Sequence, residues 1–385
     1  MIIRPVAHHD LDALQQIAVE SGPGFTSLID DRTFLRDKIQ HSIDSFARRV
    51  YEPGQESYLF VLEDEDSGEL MGTTGIEASV GLSSPLYHYH KSRVVHHSSE
   101  LDLFNSVEVL NMCNHYTGCT EICTLYLRPR FRRANAGKLL SRVRFLFMAQ
   151  HPQRFADTVI AEMRGISDDN GESPFWNWLR VHFVNLDFAT VTHLSGAGNK
   201  RFIAELMPKY PLYTNLLSAS ARDVIGQVHP DTRPALAMLE REGFRHKDYV
   251  DLFDAGPTVE AERSQIRSIA QSRQCRIQVL DADTAVLDPG PVCGEGEPLL
   301  LANTATAGFR ATITEQARYL PEHRLLQIPA DLASQLSLEE GAIARFLPLN
   351  TGSGERQTAE HWSSPSAIRF SSLNRSNTEE FRHAL

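Results

Sequence analysis

The stretch from Cys123 to Leu140, Cys-Thr-Leu-Tyr-Leu-Arg-Pro-Arg-Phe-Arg-Arg-Ala-Asn-Ala-Gly-Lys-Leu-Leu, constrains this chain more than any other. Its apolar run from Cys123 to Leu127 has the character of a strand, and Pro129 stops it; Leu139, Leu140, Val143, Phe147 and Met148 then recur at helical spacing from Gly137 to about Gln150. A strand that opens into a helix through basic and small residues suits an anion. Free N–H groups of the first helical turn point outward, the helix dipole adds partial positive charge, and Arg130, Arg132 and Arg133 offer full charges to phosphates. An ordinary strand-to-helix turn with a solvated arginine cluster fits the same residues, so the motif alone does not decide.

A chain of 385 residues can hold two or three domains and bury a sizeable core. Its net charge of −11 argues against a nucleic-acid binder and fits an enzyme that gathers basic groups only where an anionic ligand sits. The five cysteines form no Cys-x-x-Cys pair and leave an odd count, against both a zinc site and a disulfide framework. No segment is long and apolar enough to span a bilayer, and the amino terminus lacks signal-peptide features, so the expected location is the cytoplasm, away from membranes.

Ile2 to Val6 reads as a strand, followed by a helix capped by Asp10 or Asp12 with Leu14, Ile17 and Ala18 on one face. A second helix over about 31–49 carries Phe34, Ile39, Ile43 and Phe46, and the polar turn at 64–69 joins two apolar runs into a hairpin. The His- and Tyr-rich region between Leu82 and Gly118 reads as a long loop whose aromatic character predicts an oligomer, homomeric or heteromeric. Its histidines lack the convergent spacing of a metal site, and no metal is expected. Further on, Thr158 to Met163 reads as a strand, Ser173-Pro-Phe-Trp as a capped helix start, and Val224 to His229 as a strand ending in a histidine just before a helix. A connecting helix is predicted over 261–274, a Gly/Pro-rich loop over 281–298, short strands between 299 and 349, and a disordered tail over 350–385.

The signature stretch resembles the acyl-CoA motif of the GNAT acyltransferase superfamily, in which Arg/Gln-x-x-Gly-x-Gly/Ala joins a strand to a helix. Arg132 takes the first position, Asn135 the first glycine position and Gly137 the second. Asparagine is among the few residues besides glycine that tolerate a left-handed backbone. The order of strand, two helices and hairpin before the signature strand also matches that superfamily. The implied class is an α/β (α+β) GNAT-like acyl-CoA N-acyltransferase fold over 1–260, with a small β-rich C-terminal domain over 275–349.

Longer runs, among them Ala161-Glu-Met-Arg-Gly165, Ser173-Pro-Phe-Trp176, Phe202 to Lys209, Val224 to Pro230 and Gly256-Pro-Thr258, resemble the arginine N-succinyltransferase family. That resemblance, which fades after about residue 260, implies transfer of the succinyl group of succinyl-CoA to the α-amino group of L-arginine, with no permanently bound cofactor. It places the succinyl-CoA contact on Leu125 and the proton donor on His229. The chemistry agrees: an amine attacking a thioester must lose a proton and the departing thiolate gains one, a task for a group titrating near neutrality. The succinyl carboxylate calls for Arg164 or Lys209 and the guanidinium of arginine for Glu162 or Glu205, although each of the four could stand in a structural ion pair. Three alternatives stay open: ornithine as acceptor, a non-catalytic paralogous subunit suggested by Asn135 at a glycine position, and transfer through an acyl-Cys123. The last asks for a thiolate in a strand where nothing nearby in sequence lowers its pKa.

Overall fold

Apolar alternation sets the sheet, and the computed structural model describes it over residues 1–22, 25–133, 135–168, 171–196, 201–280 and 298–349. Residues 281–297 of the expected loop and the whole expected tail from residue 350 lie outside the described residues. The chain opens with β1 (Ile2–Pro5), α1 (Leu11–Ser21) and α2 (Arg32–Ala47), the last capped by the Asp31 carboxylate, which accepts from the N–H groups of Thr33 and Phe34. Leu14, Ile17 and Ala18 are buried as their spacing requires. The hairpin β2 (Ser57–Glu63) and β3 (Leu70–Glu77) leads to β4 (His88–Ser98) and β5 (Leu103–Cys113), then to β6 (Thr120–Leu127), α3 (Ala136–Gln150) and β7 (Thr158–Glu162).

Three expectations are corrected here. The His- and Tyr-rich region is no loop but the β4–β5 hairpin, paired in register from His88↔Cys113 to Ser98↔Leu103; its alternating histidines and β-branched residues suit a two-faced ribbon. Val224 to His229 forms a turn rather than a strand, since Gly226 takes a left-handed backbone (φ 72) and Pro230 opens a helical turn, leaving a single bridge, Val228↔Gly165. The connecting helix shrinks to five residues because strands claim both its flanks.

Between β7 and that bridge lie α4 (Pro174–Leu179), α5 (Phe188–Gly196), α6 (Arg201–Leu206), β8 (Leu212–Tyr213) and α7 (Ala219–Asp223). After it come α8 (Arg233–Glu242), β9 (Arg245–Val250), β10 (Pro257–Glu262), α9 (Arg267–Gln271) and β11 (Arg273–Leu280). The C-terminal part adds β12 (Leu299–Asn303), β13 (Ala311–Thr314), β14 (Arg318–Leu320), β15 (Leu325–Pro329), α10 (Ala330–Gln335) and β16 (Ile343–Pro348). The described strands join in the order β14-β15-β11-β16-β12-β13-β1-β2-β3-β6-β7-β10-β9-β4-β5-β8, so the expected β-rich region continues the sheet through β13 against β1 at Ala311↔Ile3.

One face of the central strands packs on α3 and α8, with Phe60, Phe147, Leu239 and Phe244 buried between them. Phe309 stacks edge-on against Phe60 and Phe147, which ties the C-terminal strands into that same core; each such ring contributes roughly 1.5–3 kcal/mol by burial alone. The opposite face packs on α1 and α2 through Leu14, Ile39, Leu59 and Val61. Beyond β7, two backbones meet without room for side chains: a Cβ on Gly256 would lie 2.1 Å from the Met163 carbonyl oxygen, and one on Gly165 would lie 2.5 Å from that of Asp254. Gly256→Ala should therefore lower unfolding stability by at least about 2 kcal/mol in a denaturant titration, as overpacking against fixed backbone does. A wild-type denaturation midpoint in that variant would show that the two chains can part.

Candidate active site

Strand β6 carries one residue more than its partner β3. The ladder shifts register between Thr73 and Gly75, and Thr124 takes up the extra residue in a left-handed backbone (φ 55), its carbonyl accepting the Thr73 hydroxyl at 2.9 Å. Gly75 makes space for this bulge, because a Cβ there would sit 3.1 Å from the Thr124 hydroxyl and 3.4 Å from the Cys123 sulfur. The bulge also reverses the side-chain alternation. Glu121 and Cys123 face a cleft on the α2 side and Ile122 faces the α3 core, but past Thr124 it is Leu125 and Leu127 that pack on the α3 core while Tyr126 turns to the α1 side.

At the same level the parallel strands β6 and β7 part. They pair only at Thr120↔Val159 and Glu121↔Ile160; β7 then runs on through Arg164 to Gly165, which bridges to Val228. A wedge between two strands offers backbone donors and acceptors to an extended ligand, and Leu125 lies on its β6 wall.

The turn at the head of the wedge confirms the conformation expected of Asn135, which is left-handed (φ 68, ψ −13) and delivers the chain into α3. Gly137 faces open space, with nothing within 4 Å of a Cβ placed there. The arginine cluster, however, is mostly spent on carboxylates. Arg130 pairs with Glu69, Arg133 with Asp64 at 2.7 Å, and the buried Arg128 donates to Glu20 and to the Leu70 carbonyl. Arg132 is exposed and, among the described residues, has no ion pair, so it is the member of the cluster available to a phosphate.

On the other face of the sheet lies a cleft of about 420 Å³, and Glu77, Glu121, Glu162 and Asp251 all line it, together with Lys38 and Cys123. Burial works against the Lys38 ammonium, but Glu77 at 3.2 Å, with Glu121 nearby, outweighs it and raises its pKa above the usual lysine range. Burial and then the charge of Glu162 push the Asp251 carboxyl up, although it accepts the Phe253 and Asp254 N–H groups at 2.6 and 2.9 Å. The fully buried His88 stands behind Glu162, its Nε2 2.7 Å from the carboxylate. Asp254, raised further by burial and by Asp251, accepts from Gly165 and Gly256 and so secures the crossing of the two glycine backbones. Burial foremost, then Glu77 and Glu121, push the Cys123 thiol well above its ordinary range.

His229 stands at the far end of β7. Its N–H donates to the Arg164 carbonyl at 2.9 Å, its Nδ1 accepts the Asp231 N–H at 3.2 Å, and the Asp231 carboxylate is 3.9 Å away. Its side chain keeps 14% of its exposure, enough for a ligand to reach. Arg164 donates through one guanidinium nitrogen to the Ser167 hydroxyl, while its buried Nε has no partner among the described residues. Of the residues singled out from sequence, Glu162 lines the cleft, Leu125 and His229 flank the wedge, and Arg132, Asn135 and Gly137 form its head. Lys209 and Glu205 are exposed and do not line the cleft. Glu77, Glu121, Asp251 and Lys38 were missed; the alternation of β6 marks Glu121 once Cys123 is placed, but the other three come from β3, β9's end and α2, which only the folded chain brings together.

Splayed parallel strands, a bulge beside the gap and a left-handed turn into a helix define an acyl-CoA N-acyltransferase of the GNAT-like class. The chain belongs to the arginine N-succinyltransferase family: the family model described as the arginine N-succinyltransferase beta subunit matches residues 1–268. Relatives named arginine N-succinyltransferase from Citrobacter koseri and Escherichia coli are each 41% identical to it over 349 residues, covering 91% of this chain and 98% of theirs. The solved structure of subunit AI of the arginine/ornithine succinyltransferase of Pseudomonas aeruginosa is similar with a TM-score of 0.80 and 38% identity, covering 91% of this chain and 99% of that one. It follows that the protein is an acyltransferase, and its raised thiol bears on how the acyl group travels. Mixed with acyl-CoA in the absence of acceptor, the protein should gain no covalent acyl mass on Cys123; a Cys123 thioester in a peptide map would show that the raised thiol nevertheless ionises.

Proposed function

We propose that the chain transfers the succinyl group of succinyl-CoA to the α-amino group of L-arginine. The observation that carries this reading is the cleft where four carboxylates converge beside the bulge of β6. Against them the cleft sets one lysine, which Glu77 already neutralises, so a cation entering it meets a net negative wall. Arginine brings a guanidinium that carboxylates bind in pairs, and Glu162, which stands on β7 at the wedge, is the carboxylate assigned to it.

The donor lies on the other face, its phosphates at Arg132 and the Asn135–Gly137 turn, its pantetheine arm along β6. The thioester carbonyl then sits at the bulge, where the N–H of Leu125 can hold its oxygen as charge develops. The α-amino nitrogen, having lost a proton, attacks that carbon; the C–N bond forms, the C–S bond breaks, and the thiolate takes up a proton. His229 serves the proton transfers. In the resting contact Nδ1 accepts the Asp231 N–H, whereas with an Nδ1–H facing the Asp231 carboxylate Nε2 is the nitrogen that takes a proton from the amine and returns it to the thiolate. The left-handed Asn135 supplies the backbone a glycine would, which supports a working turn there and favours the catalytic reading over a non-catalytic subunit. Ornithine is the second acceptor to consider, since the solved relative is named for both amino acids and a carboxylate-lined cleft attracts either cation. A cytoplasmic location fits the four described cysteines, all unpaired.

Incubation with succinyl-CoA should release free thiol with arginine, and more slowly with ornithine; no release with either sinks the assignment. His229→Ala should lower kcat by about 10²- to 10⁴-fold with succinyl-CoA affinity nearly unchanged, the usual worth of general acid–base catalysis. A folded His229→Ala protein with wild-type kcat across pH would leave the histidine a mere cap of the turn at Pro230.

A further inference from the structure

Arg144, in the middle of α3, is 2% exposed, yet among the described residues no carboxylate lies within 4 Å of it. Its Nε donates to the Ser141 carbonyl at 3.0 Å and one terminal nitrogen to the Ser141 hydroxyl at 3.3 Å, both in its own helical turn. The nearest acid in its field, Glu242, is engaged by Arg142 at 3.0 Å and by the Ser268 N–H at 2.8 Å. Other buried arginines are treated differently: Arg128 pairs with Glu20 and Glu69, and Arg154 donates to two carbonyls and the Tyr58 hydroxyl. A buried guanidinium that, among the described residues, bonds only to its own helical turn and meets no carboxylate is costly, and it is retained where something else supplies the counter-charge.

Its position says what that is. Leu140, one turn earlier on α3, packs over Gly72 at the Leu127 end of β6, and Arg144 lies about 6 Å further along the helix, toward the level of Cys123. About 13 Å of helix separate it from the Asn135 turn, the span along which a pantetheine arm would run down β6. Beyond the thioester carbonyl at Leu125, the far end of a dicarboxylic acyl group arrives at the Cys123 level. We propose that Arg144 receives the terminal carboxylate of the acyl donor and thereby selects a succinyl over a neutral acyl group. Burial depresses its pKa to about 10, so it stays charged at neutral pH.

This rests on the succinyl-transfer reading, and the test separates the two. The kcat/KM ratio of succinyl-CoA to butyryl-CoA, which has the same chain length and no carboxylate, is measured for wild type, Arg144→Met and Arg164→Met. Arg144→Met should lower the ratio roughly 100-fold, as loss of a desolvated charge partner does, and Arg164→Met should leave it within a few-fold. Without ligand, Arg144→Met should melt no lower than wild type, because the residue lost is an uncompensated charge, but succinyl-CoA should then raise its melting temperature no more than butyryl-CoA does. An unchanged ratio in Arg144→Met, or an equal fall in Arg164→Met, overturns the proposal. If wild type transfers no succinyl group at all, the activity reading falls and the melting shifts still judge Arg144: equal stabilisation of wild type and Arg144→Met by succinyl-CoA overturns its role. Should Arg144→Met fail to fold, Arg144→Lys decides, with a ratio about tenfold lower expected from the lost bidentate geometry and an unchanged ratio counting against the proposal.

Discussion

The extra residue at Thr124 is the constraint on which the site depends. Were β6 regular, Leu125 would share a face with Glu121 and Cys123, the acyl wall would lie in the acidic cleft, and the α3 side would receive Thr124 instead. The bulge turns the strand over at one point, so that in the proposed reaction donor and acceptor approach a single carbonyl from opposite faces of the sheet. Gly75 across the ladder, and the Thr73 hydroxyl on the Thr124 carbonyl, keep that point in place. The parting of β6 from β7 after Glu121, just before the bulge, then gives the two faces a common opening.

The sheet consequently divides charge as well as space. Among the described residues, Arg132 in the turn before α3 and Arg144 on α3 itself have no carboxylate partner; the convergent carboxylates stand on the α2 side. A net charge of −11 disguises this arrangement, because most arginines of the signature loop are neutralised locally. In the proposed reaction, affinity for a polyanionic cosubstrate comes from a few uncompensated cations and oriented amides, and the excess negative charge is kept for the acceptor.

Much of this was legible in the chain. The strand-to-helix signature, the Asn135 conformation and the Asp31 and Ser173 caps follow from local rules, because caps and left-handed turns are decided within four or five residues. The β4–β5 ribbon was misread, since its strand-favouring Tyr and Val residues are interspersed with histidines and polar residues and its register is set only by the pairing of the two strands. So was the 261–274 segment, where β10 and β11 take residues of helical pattern through pairing with β7 and β16, partners distant in sequence. The carboxylate cleft was invisible for the same reason: Glu77, Glu121, Glu162 and Asp251 are converged by sheet order, and a solitary glutamate in a strand looks alike whether it faces solvent or a substrate.

The acidic cleft also bears on how a turnover ends. In the proposed reaction the acceptor arrives with two positive groups and one carboxylate; it leaves with its ammonium converted to a neutral amide and a second carboxylate attached. The molecule's net charge has changed sign within the same walls of Glu77, Glu121, Glu162 and Asp251. Attraction at entry becomes repulsion at exit, so the electrostatics that concentrate the substrate also expel the product, and accumulated product competes weakly with fresh substrate.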